Sequence, residues 1–217
     1  MTLRRAIVLL LVAGLGVGIG TGYAATLSVS SWHVWSGSQA LTKGTCTLTG
    51  SPATADTDVS QSSPNATDGG ANTMVAKQAS GSSDKWAFVS FDLSSCSLPT
   101  TGGADSATLS LVIKSAPASN RTLTVTPVLG SWSQSTLTWN VAQTLSYGGT
   151  TTTFATGTTN NVTVSIPVTI DVDALIKNPS ASYGWRITDL GSGTATTSLA
   201  TVDAASNHPQ LQINYEK

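Results

Sequence analysis

Glutamate occurs once in this 217-residue chain, as Glu216 beside the C-terminus, and histidine twice, as His33 and His208. A carboxyl pair for glycoside hydrolysis would have to come from aspartates. Neither His-Glu-x-x-His nor Gly-x-Ser-x-Gly is present to bind a hydrolytic metal or activate a serine. This inventory argues against an enzyme. Charge is equally sparse: Lys and Arg number 10, Asp and Glu 11, and no basic run is present that would draw a nucleic acid. Cysteine is confined to Cys46 and Cys96, with no Cys-x-x-Cys for zinc or thiol chemistry. A bilayer-spanning run is lacking too. Ala6 to Ile19 is apolar, but Gly14, Gly16 and Gly18 interrupt it, and it falls short of the roughly 20 residues a spanning helix needs.

That short run reads instead as the centre of a secretory signal peptide. Arg4 and Arg5 precede it and Gly22-Tyr23-Ala24 follows, which predicts cleavage after Ala24. Export implies a secreted or cell-surface protein with no membrane attachment once the signal is removed. Losing the two arginines takes the formal charge from −1 to −3. In an oxidising compartment Cys46 and Cys96 are expected to form a disulfide. Closing a loop of about 50 residues would stabilise the fold by roughly 4 kcal/mol.

What the chain has in quantity is hydroxyl. Ser and Thr together number 64, a balance that favours extended strands over salt-bridged helices. Trp86 to Leu93 joins aromatic and β-branched residues without Gly or Pro, as suits a central strand covered on both faces. Ala107, Leu109, Leu111 and Ile113 alternate with polar residues, so Ala107 to Lys114 reads as a half-buried strand. Val162 to Val172 alternates over its whole length and predicts one strand with a core face. Asp173 to Lys177 is the one helical turn expected after the signal, capped by Asp171 or Asp173 and ended by Asn178-Pro179. About a dozen strands and one short helix predict an all-β fold, a two-sheet antiparallel β-sandwich of jelly-roll type. The expected division is a signal peptide at 1–24, an N-terminal strand extension at 25–52 packed on the sandwich, and the sandwich itself at 53–217.

Five segments follow one another in a familiar order. They are Ala55-Asp56-Thr57-Asp58-Val59 with Ser63-Pro64-Asn65; Ala87 to Ser94; Ser106 to Leu109; Trp132-Ser-Gln-Ser-Thr-Leu-Thr-Trp139-Asn140; and Tyr183-Gly184-Trp185. Together they resemble the DNRLRE domain, a jelly-roll module grouped with carbohydrate-binding modules of family 96, over about Ala53 to Tyr215. The resemblance implies an exported, non-catalytic module that binds polysaccharide or cell-wall glycan; some relatives take acidic polysaccharides. A second reading is a structural or adhesive surface protein. It would act by self-association or association with a partner, with Ala25 to Trp35 as a strand able to add to a neighbouring sheet.

The candidate ligand platforms are tryptophans, because sugar C–H faces stack on aromatic rings. Trp32 and Trp35 flank His33 just before the turn at Ser36-Gly37-Ser38 and are expected to form an exposed pair. Trp132 opens the most specific segment of the resemblance and is the third candidate. Trp132 and Trp139 could equally pack beneath a loop, and Trp86 and Trp185 are expected in the core. An acidic ligand would need cations near such rings, for which Lys43, Lys77, Lys85, Arg121 and Arg186 are available. Asp56 with Asp58, or Asp171 with Asp173, could supply oxygens to a structural calcium ion, although no EF-hand spacing supports one.

Overall fold

The computed structural model describes residues 42–50, 54–99, 103–148, 151–178 and 183–216. The expected signal peptide, the strand at Ala25 to Trp35 and the Trp32–Trp35 pair lie outside the described residues.

Period-two alternation produces eleven strands among the described residues, in two sheets. The larger sheet holds β1 (Lys43–Thr49), β3 (Thr73–Ala76), β5 (Ala104–Ser115), β8 (Val162–Pro167), β10 (Thr197–Ala200) and β11 (Gln210–Glu216). The smaller sheet runs β2 (Thr54–Ser60), β4 (Lys85–Phe91), β9 (Trp185–Asp189), β6 (Thr122–Pro127) and β7 (Thr152–Ala155). Every pairing is antiparallel. From β1 to β6 each strand lies in the sheet opposite the one before, the crossing pattern of a jelly roll.

The twelve-residue β5 organises the larger sheet. Leu109 faces Leu211 of β11 and Ile166 of β8, while Ile113 faces Leu199 of β10 and Val162 of β8. One edge of β5 therefore belongs to β8, and β11 and β10 share the other. Inward side chains of the two sheets, including Leu109, Leu111, Ile113, Leu123, Trp185 and Leu211, form the main core.

Strand β4 is covered on both faces, as expected. Ala87 and Val89 enter the main core, whereas Phe88 points outward into a second cluster with Val59, Val128, Leu137, Trp139 and Ala142. That outer cluster is built from the Trp132-to-Asn140 segment, which folds down on the smaller sheet and ends in a helix, α1 (Trp139–Thr144). Thr138 caps it, its Oγ1 accepting from the Val141 amide at 3.2 Å. Six residues are too few to leave a helical period in the sequence, so α1 is a helix beyond the one expected.

The expected helix is present but begins earlier, as α2 (Thr169–Lys177). The single strand expected over Val162 to Val172 accordingly stops at Pro167, and its supposed core face divides. Ile166, Val168 and Val172 are buried, while Val162 is 39% and Ile170 67% exposed. Asp171 and Asp173 lie inside α2 rather than at its cap, which is Val168 without a side-chain hydrogen bond. Asp173 accepts from the Ala104 amide and from Lys177, and Asp171 from the indole of Trp185.

Cys46 and Cys96 form a disulfide with Cα atoms 5.8 Å apart. It fastens β1, an outer strand paired along its whole length with β11, to the chain just after the 3₁₀ turn Leu93–Ser95.

Candidate functional site

Where β4 runs out, the two sheets part around a cleft of about 520 Å³. Its walls come from the end of β4 and the turn after it (Ser90 to Ser94), from Leu175 and Ile176 of α2, from Tyr183 to Trp185, and from Trp132 of the outer segment. The floor is apolar and includes Leu211 and the buried Trp185, whose Nε1 donates to Asp171 Oδ2 at 2.9 Å. Phe91 meets Trp185 edge-on with ring centroids 6.3 Å apart.

Backbone geometry makes this wall possible. Gly184 has φ +84°, and a Cβ there would lie 2.1 Å from the Val89 carbonyl oxygen, so only glycine lets Tyr183 to Trp185 pass this close to β4. Tyr183 and Gly184 are held to Val128 by two backbone hydrogen bonds, Tyr183 N to Val128 O at 3.1 Å and Val128 N to Gly184 O at 2.9 Å. Trp132 is half-buried. Its ring edge packs on Phe88 at 5.7 Å between centroids, and its Nε1 donates to the Tyr183 carbonyl. With its polar handle engaged, the indole is held in one orientation on the cleft wall.

The polar rim is Ser90, Asp92 and Ser94. Asp92 Oδ1 accepts from the Ser94 amide at 2.9 Å, and hydrogen bonds from Ser94 hold this carboxyl below the ordinary aspartate value. It is the only carboxylate among the described residues lining the cleft, and it is kept ionised. A lone charged acceptor beside two hydroxyls and fixed aromatic rings suits a ligand with an apolar ring face and a hydroxyl edge. It does not supply the acid and base that glycoside hydrolysis requires.

Of the tryptophans put forward as ligand platforms, Trp132 lines this cleft. Trp139 is buried beneath the outer segment, tilted 42° against the half-buried Trp86 with centroids 4.3 Å apart. Trp185 is core, as expected. The residues that local reasoning did not single out are Phe91, Asp92, Ser94 and Tyr183. All four stand in segments of the family resemblance, which was the available signal.

Of the aspartates put forward for calcium, Asp56 and Asp58 are buried in the interior. Asp56 and Asp58, 1% and 2% exposed, point between the sheets. Burial pushes Asp56 up to about 6, although its Oδ2 accepts from the Val202 amide at 2.7 Å. Burial also pushes Asp58 up to about 6, against the pull of Lys85, whose Nζ lies 3.2 Å from Oδ2. Asp58 is thus paired with an ammonium rather than left open for a cation. Among the described residues no three His, Cys, Asp or Glu side chains form a metal-binding group.

The site is thus an aromatic wall and a hydroxyl rim at one end of an antiparallel sandwich. The chain matches the model of carbohydrate-binding module family 96 over residues 47–215 and belongs to that family. No curated protein matches it. No described helix is long and apolar enough to cross a membrane.

Proposed function

We propose that the protein is an exported, non-catalytic module that holds a polysaccharide or cell-wall glycan in the cleft walled by Trp132 and Tyr183. The observation that carries this reading is the fixed Trp132 indole opposite the Ser90–Asp92–Ser94 rim, because it joins a stacking surface to hydroxyl-binding groups in one open cleft. Export is supported by the Arg4-Arg5 segment with its apolar run, and by a disulfide that belongs to an oxidising compartment. Trp32 and Trp35, in the proposed 25–52 extension, are proposed as glycan-contacting residues in their own right.

The test is retention on a panel of insoluble polysaccharides and cell-wall preparations. The unaltered protein is retained on at least one of them. Trp132→Ala loses about tenfold or more in affinity, since stacking on an aromatic ring contributes on the order of 1.4 kcal/mol. Circular dichroism checks that the variant is folded. Retention of the folded variant equal to that of the parent would remove the cleft from the account, and retention on no glycan would remove the function.

A further inference from the structure

Among the described residues lysine enters three ion pairs, and two of them are solvated. Lys43 and Lys177 meet the carboxylates of Glu216 and Asp173, which are 35% and 32% exposed, so water competes for both charges. Lys85 is different. Its Nζ lies 3.2 Å from Oδ2 of Asp58, a carboxyl only 2% exposed. Both backbones are held in place, because β2 and β4 pair without a shift from Thr54 opposite Phe91 to Ser60 opposite Lys85. The other edge of Lys85 exchanges two hydrogen bonds with Lys77, Lys77 N to Lys85 O at 3.0 Å and Lys85 N to Lys77 O at 2.9 Å. Asp58 stands opposite Ala87, two residues along the strand from Lys85 and on the same face. An amine and an acid are thus fixed one C–O bond away from reaction, the situation in which proximity accelerates an intramolecular step most.

A third group attends the pair. Asp68, exposed in the loop after β2, hydrogen-bonds the Asp58 carboxyl. Two carboxyls in contact favour sharing a proton, since two negative charges side by side repel. Burial raises Asp58 to about 6 against the pull of Lys85, and Asp68 adds to the rise. A proton is therefore held where a carboxyl would have to shed one oxygen as water.

We infer that Lys85 and Asp58 condense into an intramolecular amide, an isopeptide crosslink between β4 and β2, with Asp68 carrying the proton. The step balances without a co-reactant. Lys85 Nζ gives one proton to the carboxyl pair and attacks Cγ of Asp58, and the N–C bond forms as Nζ passes a second proton to Asp68. Asp68 returns that proton to the departing oxygen; one C–O bond breaks and water leaves. An ammonium and a carboxylate become one neutral amide and one water. The product removes a charge pair that is costly to bury and ties positions 27 residues apart. Unlike the Cys46–Cys96 bridge, this tie survives reduction, and it stands whether or not the cleft binds glycan.

The test is the intact mass of the purified protein, denatured and with its disulfide reduced, the N-terminus being read from the same sample. The expected mass is one water below that of the sequence. Trypsin does not cleave after an acylated lysine, so peptides 44–77 and 78–114 should stay joined, and fragmentation should place the bond at Asp58 and Lys85. Lys85→Arg keeps the ion pair, but its guanidinium stays protonated and cannot attack, so this variant should show the full sequence mass. Asp68→Asn should raise the unlinked fraction at least tenfold, because a general acid–base group is removed. The full sequence mass in the parent protein would overturn the crosslink. So would a loss of one water with the two peptides separate, as ring closure at Asp68-Gly69 would give, or the same loss in Lys85→Arg. An unlinked fraction unchanged in Asp68→Asn would overturn the part assigned to Asp68.

Discussion

At the scale of the residue, Asp56 is the most exposed to test. It sits between the sheets with Oδ2 on the Val202 amide and Oδ1 buried without a partner, and burial raises it to about 6 from 3.8. The folded protein therefore binds this proton more tightly than the unfolded chain does. Its contribution to stability is fully present below about pH 3.8 and is lost as pH rises through about 6. With one pKa unit equal to about 1.4 kcal/mol, the charged form at pH 8 costs on the order of 2–3 kcal/mol. Asp56→Asn keeps an acceptor for Val202 and removes the charge. It should raise stability at pH 8 by about 1–3 kcal/mol and change it little at pH 4, as measured by urea unfolding at both values. An equal effect at both pH values would show that Asp56 acts through packing instead. The sequence places Asp56 and Asp58 on one face of a strand, and they are. That the face is the interior, with Lys85 brought to Asp58 from β4, depends on pairing between strands and leaves no mark in the local pattern.

At the scale of the element, the clearest sequence signals are those with a single period. Ala107 to Ile113 gives β5, and Trp86 to Leu93 gives β4 with both faces filled. Val162 to Val172 misleads because residues 168 and 172 are four apart, a separation that lies on one face of a strand and also on one face of a helix. Pro167, whose nitrogen cannot donate to a ladder, ends β8, and the chain turns into α2 with Val168, Val172 and Ile176 on its buried side. The pairing of Cys46 with Cys96 was readable from parity and compartment, and the fold gives it a specific task. It joins β1 to the turn that carries the cleft rim. Replacing both cysteines with serine should lower stability by about 2–4 kcal/mol and speed amide exchange in β1 before the rest of the larger sheet. Uniform exchange across that sheet would mean that the bridge stabilises the molecule without holding β1 in particular.

At the scale of the whole molecule, the sandwich is what local patterns foretell and the cleft is what they do not. Its wall gathers Ser90 to Ser94, Trp132, Leu175, Ile176 and Tyr183 to Trp185, separated by tens of residues and joined only when the sheets and the outer segment close. Trp132 and Trp139 look alike in the sequence, each in one short motif. The fold buries one under the segment and sets the other on the cleft wall. The central claim, that this wall holds a sugar ring, is tested most directly by following the six tryptophan indole N–H signals by nuclear magnetic resonance. The titrant is an oligosaccharide of the polysaccharide that retains the protein. The account predicts that the Trp132 signal shifts in proportion to saturation while that of Trp139, buried away from the cleft, stays in place. Saturable binding that leaves the Trp132 signal unmoved would contradict it.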